Sequence, residues 1–90
     1  MEIKPSLLFF ILFFGMIQVT KLPNNEILFQ AKEGDKFLVK NKVTEKERIV
    51  ILIKKDCKGL YFKDLDLPKM YFFDYNIDNF LIFKIQKICL

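Results

Sequence analysis

The apolar run from Ser6 to Val19, SLLFFILFFGMIQV, constrains the fold of this chain more than any other segment. Eight of its residues, Leu7 to Phe14, are apolar in succession, so the run has no polar face for a surface helix. As a helix it would be about 21 Å long, which is short for a ~30 Å hydrocarbon core and typical of the apolar part of a secretory signal. We therefore predict an N-terminal apolar helix over residues 1–20, as a signal peptide or a signal anchor.

Two alternatives to cleavage stay open. No A-x-A-like cleavage site follows the run, so an uncleaved helix could hold the chain in a membrane, with Lys4 and Lys21 reaching the headgroups. A chain that is not exported would instead bury the segment in its core. The expected location is secreted or extracellular, and the alternative is a membrane location with a single N-terminal anchor.

Residues 21–25, KLPNN, predict a linker, and residues 26–90 predict a small β domain. Apolar and polar residues alternate in two segments after the linker, as in half-buried strands. The two apolar sets are Ile27, Phe29 and Ala31, then Phe37, Val39 and Val43. A tight turn is expected between them at residues 33–35, EGD, because glycine tolerates a positive φ.

The second half of the chain predicts further strands. Residues 49–53, IVILI, predict a central strand covered on both faces. Residues 55–59, KDCKG, predict a type I turn closed by a left-handed Gly59. Residues 70–75 and 80–88 predict a last strand pair, with Leu81, Phe83 and Ile85 on one face, although a helix over residues 70–90 also fits the spacing.

The predicted fold is therefore mainly β. We expect an N-terminal apolar helix followed by an antiparallel β-meander of five to six strands, with a barrel- or sandwich-like arrangement.

The chain has few residues suited to catalysis. It has no histidine, and its only serine is Ser6 in the apolar run, so the usual general base and metal ligand and the common nucleophile–base pairs are missing. Asp64 and Asp66 would face the same way on an extended segment, but a lone pair without a cleft or further oxygen ligands predicts a loop. We predict no catalytic residues, no metal ligands, no cofactor and no enzymatic activity.

Whether the two cysteines form a disulfide depends on the compartment of the chain. In an exported chain Cys57 and Cys89 predict one disulfide, which would stabilise the domain by about 3 to 4 kcal/mol in the chain-entropy estimate. In a chain that is not exported they are two thiols, and Cys89 could also pair with a second chain.

Positive charge is concentrated in the middle of the sequence. Residues 32–63 hold ten basic and five acidic residues, a difference of +5, against +4 for the whole chain. Arg48 is the only arginine, and because nucleic-acid readers rely on the arginine fork, no nucleic-acid partner is expected. The expected partner is an unidentified protein or an anionic surface, with membrane association through residues 6–19 in the tethered alternative.

The predicted function is that of a small secreted β-rich binding or interaction protein. The alternative is a membrane-tethered β protein, held by an uncleaved N-terminal helix as a subunit of an assembly. The predicted binding surface consists of Lys40, Lys42, Lys54, Lys55, Tyr61, Tyr71, Phe72 and Tyr75. Each also has a structural interpretation, since lysines protect sheet edges and aromatic residues fill cores.

Overall fold

A computed structural model describes residues 10–14 and 17–87, which form one antiparallel sheet and one short helix. The elements are β1 (Phe10–Phe14), β2 (Ile17–Lys21), α1 (Asn24–Gln30), β3 (Lys36–Asn41), β4 (Glu47–Lys55), β5 (Leu60–Asp64), β6 (Met70–Phe73) and β7 (Phe80–Lys87). The predicted mainly β fold is confirmed.

The seven strands lie in the order β1-β2-β7-β3-β4-β5-β6. β3 to β6 follow one another as a meander, and the last strand, β7, inserts between β2 and β3. The order ends at β1 and β6, so within the described residues the sheet is a single open layer. The predicted barrel- or sandwich-like closure is therefore not supported.

Helix α1 covers one face of the sheet, which we call the core face. The core residues of the sheet come from β3, β4, β5, β6 and β7, and α1 and the residue after it add apolar side chains from above. The buried apolar side chains are Ile27, Leu28, Ala31, Phe37, Val39, Val50, Leu52, Leu60, Phe62, Phe73 and Ile82. Phe37 and Phe62 meet edge to face, with ring centroids 5.6 Å apart, a favourable arrangement for aromatic rings.

Helix α1 replaces the strand predicted over residues 27–31. Ile27 and Leu28 are buried side by side, whereas Phe29 is 76% exposed. Buried and exposed residues therefore do not alternate here as they would in the predicted strand. Ile27, Leu28 and Ala31 instead form one stripe of a helix, at i, i+1 and i+4. Pro23 directly precedes the helix, where its missing N–H has no consequence for the helical hydrogen bonds.

The predicted N-terminal helix is not supported, because β1 and β2 form a hairpin. Phe10 pairs with Lys21 and Phe14 with Ile17, and residues 17–20 also pair with β7. β-branched and aromatic side chains, which suit strands, fill much of this segment. The rest of the predicted helix, residues 1–9, 15 and 16, lies outside the described residues.

The predicted signal peptide is also not supported, since a cut after residue 20 would remove β1 and most of β2 from the sheet. No helix within residues 10–14 and 17–87 is long and apolar enough to cross a bilayer. The segment predicted as a linker divides between the end of β2 at Lys21 and the first turn of α1 at Asn24 and Asn25.

Strand β4 is central, but only one of its faces is covered. Val50 and Leu52 are buried, whereas Ile49 and Ile53 are each 41% exposed. The register shift between Leu52 and Lys54 marks a β-bulge at Ile53. The prediction of a strand covered on both faces is therefore wrong, because continuous β-branched residues also occur where one face stays open.

The predictions for Val43 and Gly59, at the two ends of β4, are also wrong. Val43 is 85% exposed, because Asn41 ends β3 by accepting hydrogen bonds at its side-chain oxygen from the N–H groups of Val43 and Thr44, at 2.8 and 3.0 Å. Gly34 has a φ of +94° in its predicted turn, but Gly59 is not among the positive-φ glycines. Gly59 is required for space: an added Cβ would collide with the Phe73 carbonyl oxygen.

The final strand pair is confirmed, in the form of β6 and β7. The helical alternative for residues 70–90 is not adopted within residues 70–87, and residues 88–90 lie outside the described part. Leu81, Phe83 and Ile85 share one face as predicted, but that face is opposite the buried Ile82.

Candidate functional site

The sheet face opposite α1 carries many apolar side chains. Strand alternation and the pairing register place these residues on it, and we call this surface the open face. Its apolar members are Ile17, Val19, Leu38, Ile49, Ile51, Tyr61, Met70, Phe72, Leu81, Phe83 and Ile85. Four of them, Ile17, Ile49, Met70 and Phe72, are between 41% and 59% exposed.

Four lysines and one glutamate lie among these apolar residues. Lys36 pairs with Ile85 on one side and Ile51 on the other, and Lys63 pairs with Ile51 and Met70. Over strands β3 to β5 the charged members of the open face are Lys36, Lys40, Lys54, Lys63 and Glu47, a net charge of four minus one, or +3. Lys21 adds a further positive charge at the end of β2, where its ammonium lies 5.7 Å from the centroid of the Phe83 ring. No described ion pair includes any of the five charged residues of β3 to β5, which leaves their lysine charges available to a partner.

An aromatic cluster forms the β5–β6 end of the open face. The rings of Tyr61 and Phe72 lie 4.9 Å apart, and the Lys54 ammonium lies 5.4 Å above the Tyr61 ring centroid. A cation over an aromatic face is held by the ring quadrupole. The cluster thus presents a positive charge beside a 46% exposed phenylalanine.

The predicted surface residues divide between the two sides of the sheet. The structure brings four of them to the open face: Lys40, Lys54, Tyr61 and Phe72. Lys42 lies in the β3–β4 connection. Lys55 turns to α1, where its ammonium donates hydrogen bonds to the carbonyl oxygens of Phe29 and Ala31 at 2.5 and 2.8 Å.

The last two predicted aromatics have structural partners. The Tyr71 hydroxyl donates to Asp64 at 3.0 Å, and the Tyr75 hydroxyl donates to the Asp56 carbonyl oxygen at 2.9 Å. The predicted set did not include the apolar majority of the open face, notably Leu38, Ile49 and Ile85. The alternation in β7 was visible in the sequence, but its outward direction depends on where α1 packs.

Asp64 is the most strongly bonded charge in the described structure. Its side chain is fully buried and accepts two hydrogen bonds from Arg48, from Nε and Nη2 at 2.8 Å each. It also accepts hydrogen bonds from the N–H groups of Asp66 and Leu67, at 2.8 and 2.9 Å. The bonds from Arg48 are the largest cause of an Asp64 pKa well below the usual carboxyl range.

This cluster has a structural role. Arg48 accordingly has a pKa above its ordinary value, chiefly because of its hydrogen bonds to Asp64. The Tyr71 pKa is raised first by burial and then by its hydrogen bond to Asp64. Since Asp64 is saturated with donors, it fixes the end of β5 to β4 and to the following loop. Asp64 is the last residue of β5 and is buried, whereas the Asp66 side chain is 82% exposed, so only Asp66 lies in the predicted loop and the two carboxylates do not face the same way.

Cys57 has an exposed free thiol in the β4–β5 turn. No disulfide is seen among the described residues, and Cys89, the predicted partner, lies outside them. Cys57 lines a cavity of about 640 Å³ beside Phe29 and Tyr75. Within residues 10–14 and 17–87 no group of three or more acidic, histidine or cysteine residues is placed to hold a metal ion.

Comparison with known proteins gives no relative. No protein-family model matches the chain, and no curated protein and no solved structure matches it.

Proposed function

We propose that this chain is a non-catalytic binding protein that docks on an anionic lipid surface through the open face. The observation that carries the proposal is the direction of the β7 side chains. Leu81, Phe83 and Ile85 point away from the core that α1 covers, although the outer face of an antiparallel sheet is usually polar. An apolar outer face of this kind is typical of an interaction surface.

The lysines favour an anionic partner. Lys36, Lys54 and Lys63 are exposed, and a lysine can leave its aliphatic stem among apolar groups while its ammonium reaches a charged surface. Each basic residue close to an anionic membrane contributes about 1 kcal/mol. A second copy of the chain is a poorer partner, because two positively charged faces would repel each other.

The arrangement of charges favours lipid over protein. The central part of a protein–protein interface is depleted in lysine, whereas Lys36 lies between Ile85 and Ile51 near the middle of this sheet. At a bilayer surface apolar side chains enter the acyl boundary and ammonium groups remain at the phosphates. Secretion stays a prediction, and docking through the open face does not depend on it.

Vesicle co-sedimentation tests the proposal through the lysines. The full chain should bind vesicles that contain phosphatidylserine more tightly than pure phosphatidylcholine vesicles, and added salt should weaken the binding. The double variant Lys36→Gln/Lys63→Gln should lose about 30-fold in partitioning at low salt, from two contributions of about 1 kcal/mol. The matched control is Lys32→Gln/Lys58→Gln, which removes two exposed lysines outside the open face.

A second pair of variants tests the apolar contribution. Phe72 is 46% exposed, so inserting it into lipid removes about 90 Å² from water, which gives about 2 kcal/mol. Phe72→Ser should weaken partitioning by up to about 30-fold. The control, Phe29→Ser, removes a 76% exposed phenylalanine from α1 and should leave partitioning unchanged. Equal losses in the two variants, or no preference for anionic vesicles, would contradict the proposal.

A further inference from the structure

An open cavity of about 410 Å³ lies where four segments meet, at the border of the open face, which contributes Leu81 to its lining. The segments are the end of β2, the start of α1, the β3–β4 connection and the β6–β7 connection. Residues that line it include Lys21, Asn25, Lys42, Asn76, Asp78 and Leu81. Its walls are held together by hydrogen bonds: the Asn24 amide donates to the Phe80 carbonyl oxygen at 2.6 Å, and the Lys42 N–H donates to the Asn79 carbonyl oxygen at 3.0 Å.

Several hydrogen-bond donors of this cavity have no described acceptor. The Lys21 ammonium donates to the Leu22 carbonyl oxygen and to the Asn24 side-chain oxygen, which leaves one of its three N–H groups without a hydrogen-bond acceptor. The ammonium also lies 5.7 Å from the centroid of the Phe83 ring. The Lys42 side chain is exposed, and its ammonium has no hydrogen bond or ion pair within residues 17–86. The side-chain amides of Asn25 and Asn76 likewise donate to no described group.

The charges of the cavity are out of balance. Two lysines and one aspartate line it, a net charge of +1, and Asp78 forms no described ion pair with either lysine. Lys21 is half-buried, and its pKa is lowered, first by burial and then by repulsion from the Lys42 charge. A bound anion would relieve the repulsion between the two ammonium groups and accept hydrogen bonds from the remaining N–H groups.

We propose that this cavity binds a phosphate-type oxyanion between the ammonium groups of Lys21 and Lys42. The ligand presents several oxygens to separate donors, as a phosphate group does, and it belongs either to a free phosphate compound or to a lipid headgroup. The site borders the open face at Leu81, but Lys36, Lys54 and Lys63, which support the proposed lipid docking, do not line it, so it does not rest on that docking.

The test is a titration of the full chain with inorganic phosphate at constant ionic strength, followed by the backbone amide signals in NMR. Saturable shifts are expected at Lys42, Asn76 and Asp78, with no matching shifts in a chloride titration. Lys42→Gln should weaken phosphate binding at least about tenfold, because it removes a charge-assisted hydrogen bond. Lys46→Gln, in the same connection but outside the cavity, should leave the binding constant unchanged.

A variant that should tighten phosphate binding distinguishes a lost site from a misfolded protein. Asp78 is exposed, and Asp78→Asn should tighten phosphate binding about threefold, since it removes a negative charge from the wall. Shifts that rise linearly without saturation, or a Lys42→Gln variant that binds as the parent does, would overturn the proposal. The open-face variant Lys36→Gln/Lys63→Gln should keep the parent phosphate affinity, which separates a failure of either proposal from the other.

The source of the phosphate follows from a vesicle comparison. Tighter binding to phosphatidic acid than to phosphatidylserine at equal charge, lost in Lys42→Gln, assigns the site to a lipid headgroup. Saturable binding of inorganic phosphate without that lipid preference assigns it to a free phosphate compound. Phosphate shifts that do not saturate overturn the site whichever lipid is preferred.

Discussion

Leu52→Ala and Ile49→Ala shorten two side chains on opposite faces of β4, and we expect very different losses of stability. Leu52 is 1% exposed on the core face and Ile49 is 41% exposed on the open face. A leucine buried to this degree leaves a cavity when it becomes alanine, so Leu52→Ala should cost about 3 to 4 kcal/mol, within the ~2–5 kcal/mol range of such changes. Ile49→Ala removes atoms that are already partly in water and should cost about 1 kcal/mol.

These losses are large on the scale of the whole domain. A chain of 90 residues is expected to have a free energy of unfolding of about 5 to 13 kcal/mol. Leu52→Ala should therefore remove about a quarter or more of the stability and lower the melting temperature by about 12 °C or more. Ile49→Ala should lower it by about 4 to 8 °C.

Urea unfolding followed by far-ultraviolet circular dichroism measures both variants. The midpoint for Leu52→Ala should fall by about 2 M with an unchanged slope, and that for Ile49→Ala by less than about 1 M. Equal losses would refute the reasoning, because they would mean that both faces of β4 are packed. A loss for Ile49→Ala that depends on protein concentration would mean that a second copy covers the open face.

Two further predictions concern the loops. The Asp64 pKa is lowered by its hydrogen bonds from Arg48, so its stabilising effect is complete above the ordinary carboxyl pKa and is lost as the pH falls from there towards the lowered value. Asp64→Asn should thus lower the free energy of unfolding at pH 7, and this free energy should then fall less steeply with decreasing pH than in the parent. An equally steep fall in the variant and the parent would contradict this. Gly59→Ala should cost about 1 to 3 kcal/mol in urea unfolding, because the added Cβ meets the Phe73 carbonyl oxygen and comes within 2.8 Å of the Phe72 ring. A parent-like midpoint for Gly59→Ala would exclude this close approach.

The strands after residue 35 were predictable because local pattern and turn chemistry agree there. Phe37 and Val39 lie two residues apart between Lys36 and Lys40, and their side chains are buried as expected. The segment around Phe29 was wrongly predicted as a strand, because a seven-residue helix is too short to show more than one helical repeat. Only contact with the sheet decides that Leu28, and not Phe29, is buried.

The N-terminal apolar run shows a different limit of sequence analysis. An uninterrupted apolar segment fits a signal, an anchor or a buried strand, and its length alone favoured a helix. The pairing of Val19 with Ile85, which places residues 17–20 in the sheet, is a contact between segments more than 60 residues apart in the sequence. Nothing local to the run predicts that contact.

The open face was only partly predictable for a related reason. Lys40, Lys54, Tyr61 and Phe72 were identified by residue type, but the two faces of a strand look equivalent until the position of α1 is known. The Arg48–Asp64 pair was missed, because residues 16 positions apart became neighbours only through the β4–β5 pairing.

Docking of the open face on anionic lipid is tested most directly by NMR with spin-labelled lipid. The full chain with methyl-labelled isoleucine would be mixed with anionic bicelles that carry a paramagnetic headgroup. We predict strong broadening of the methyl signals of Ile17 and Ile49 on the open face, while those of Ile27 in α1 keep their intensity. Broadening of Ile27 with sharp Ile17 and Ile49 signals, or no broadening at all, would contradict the account.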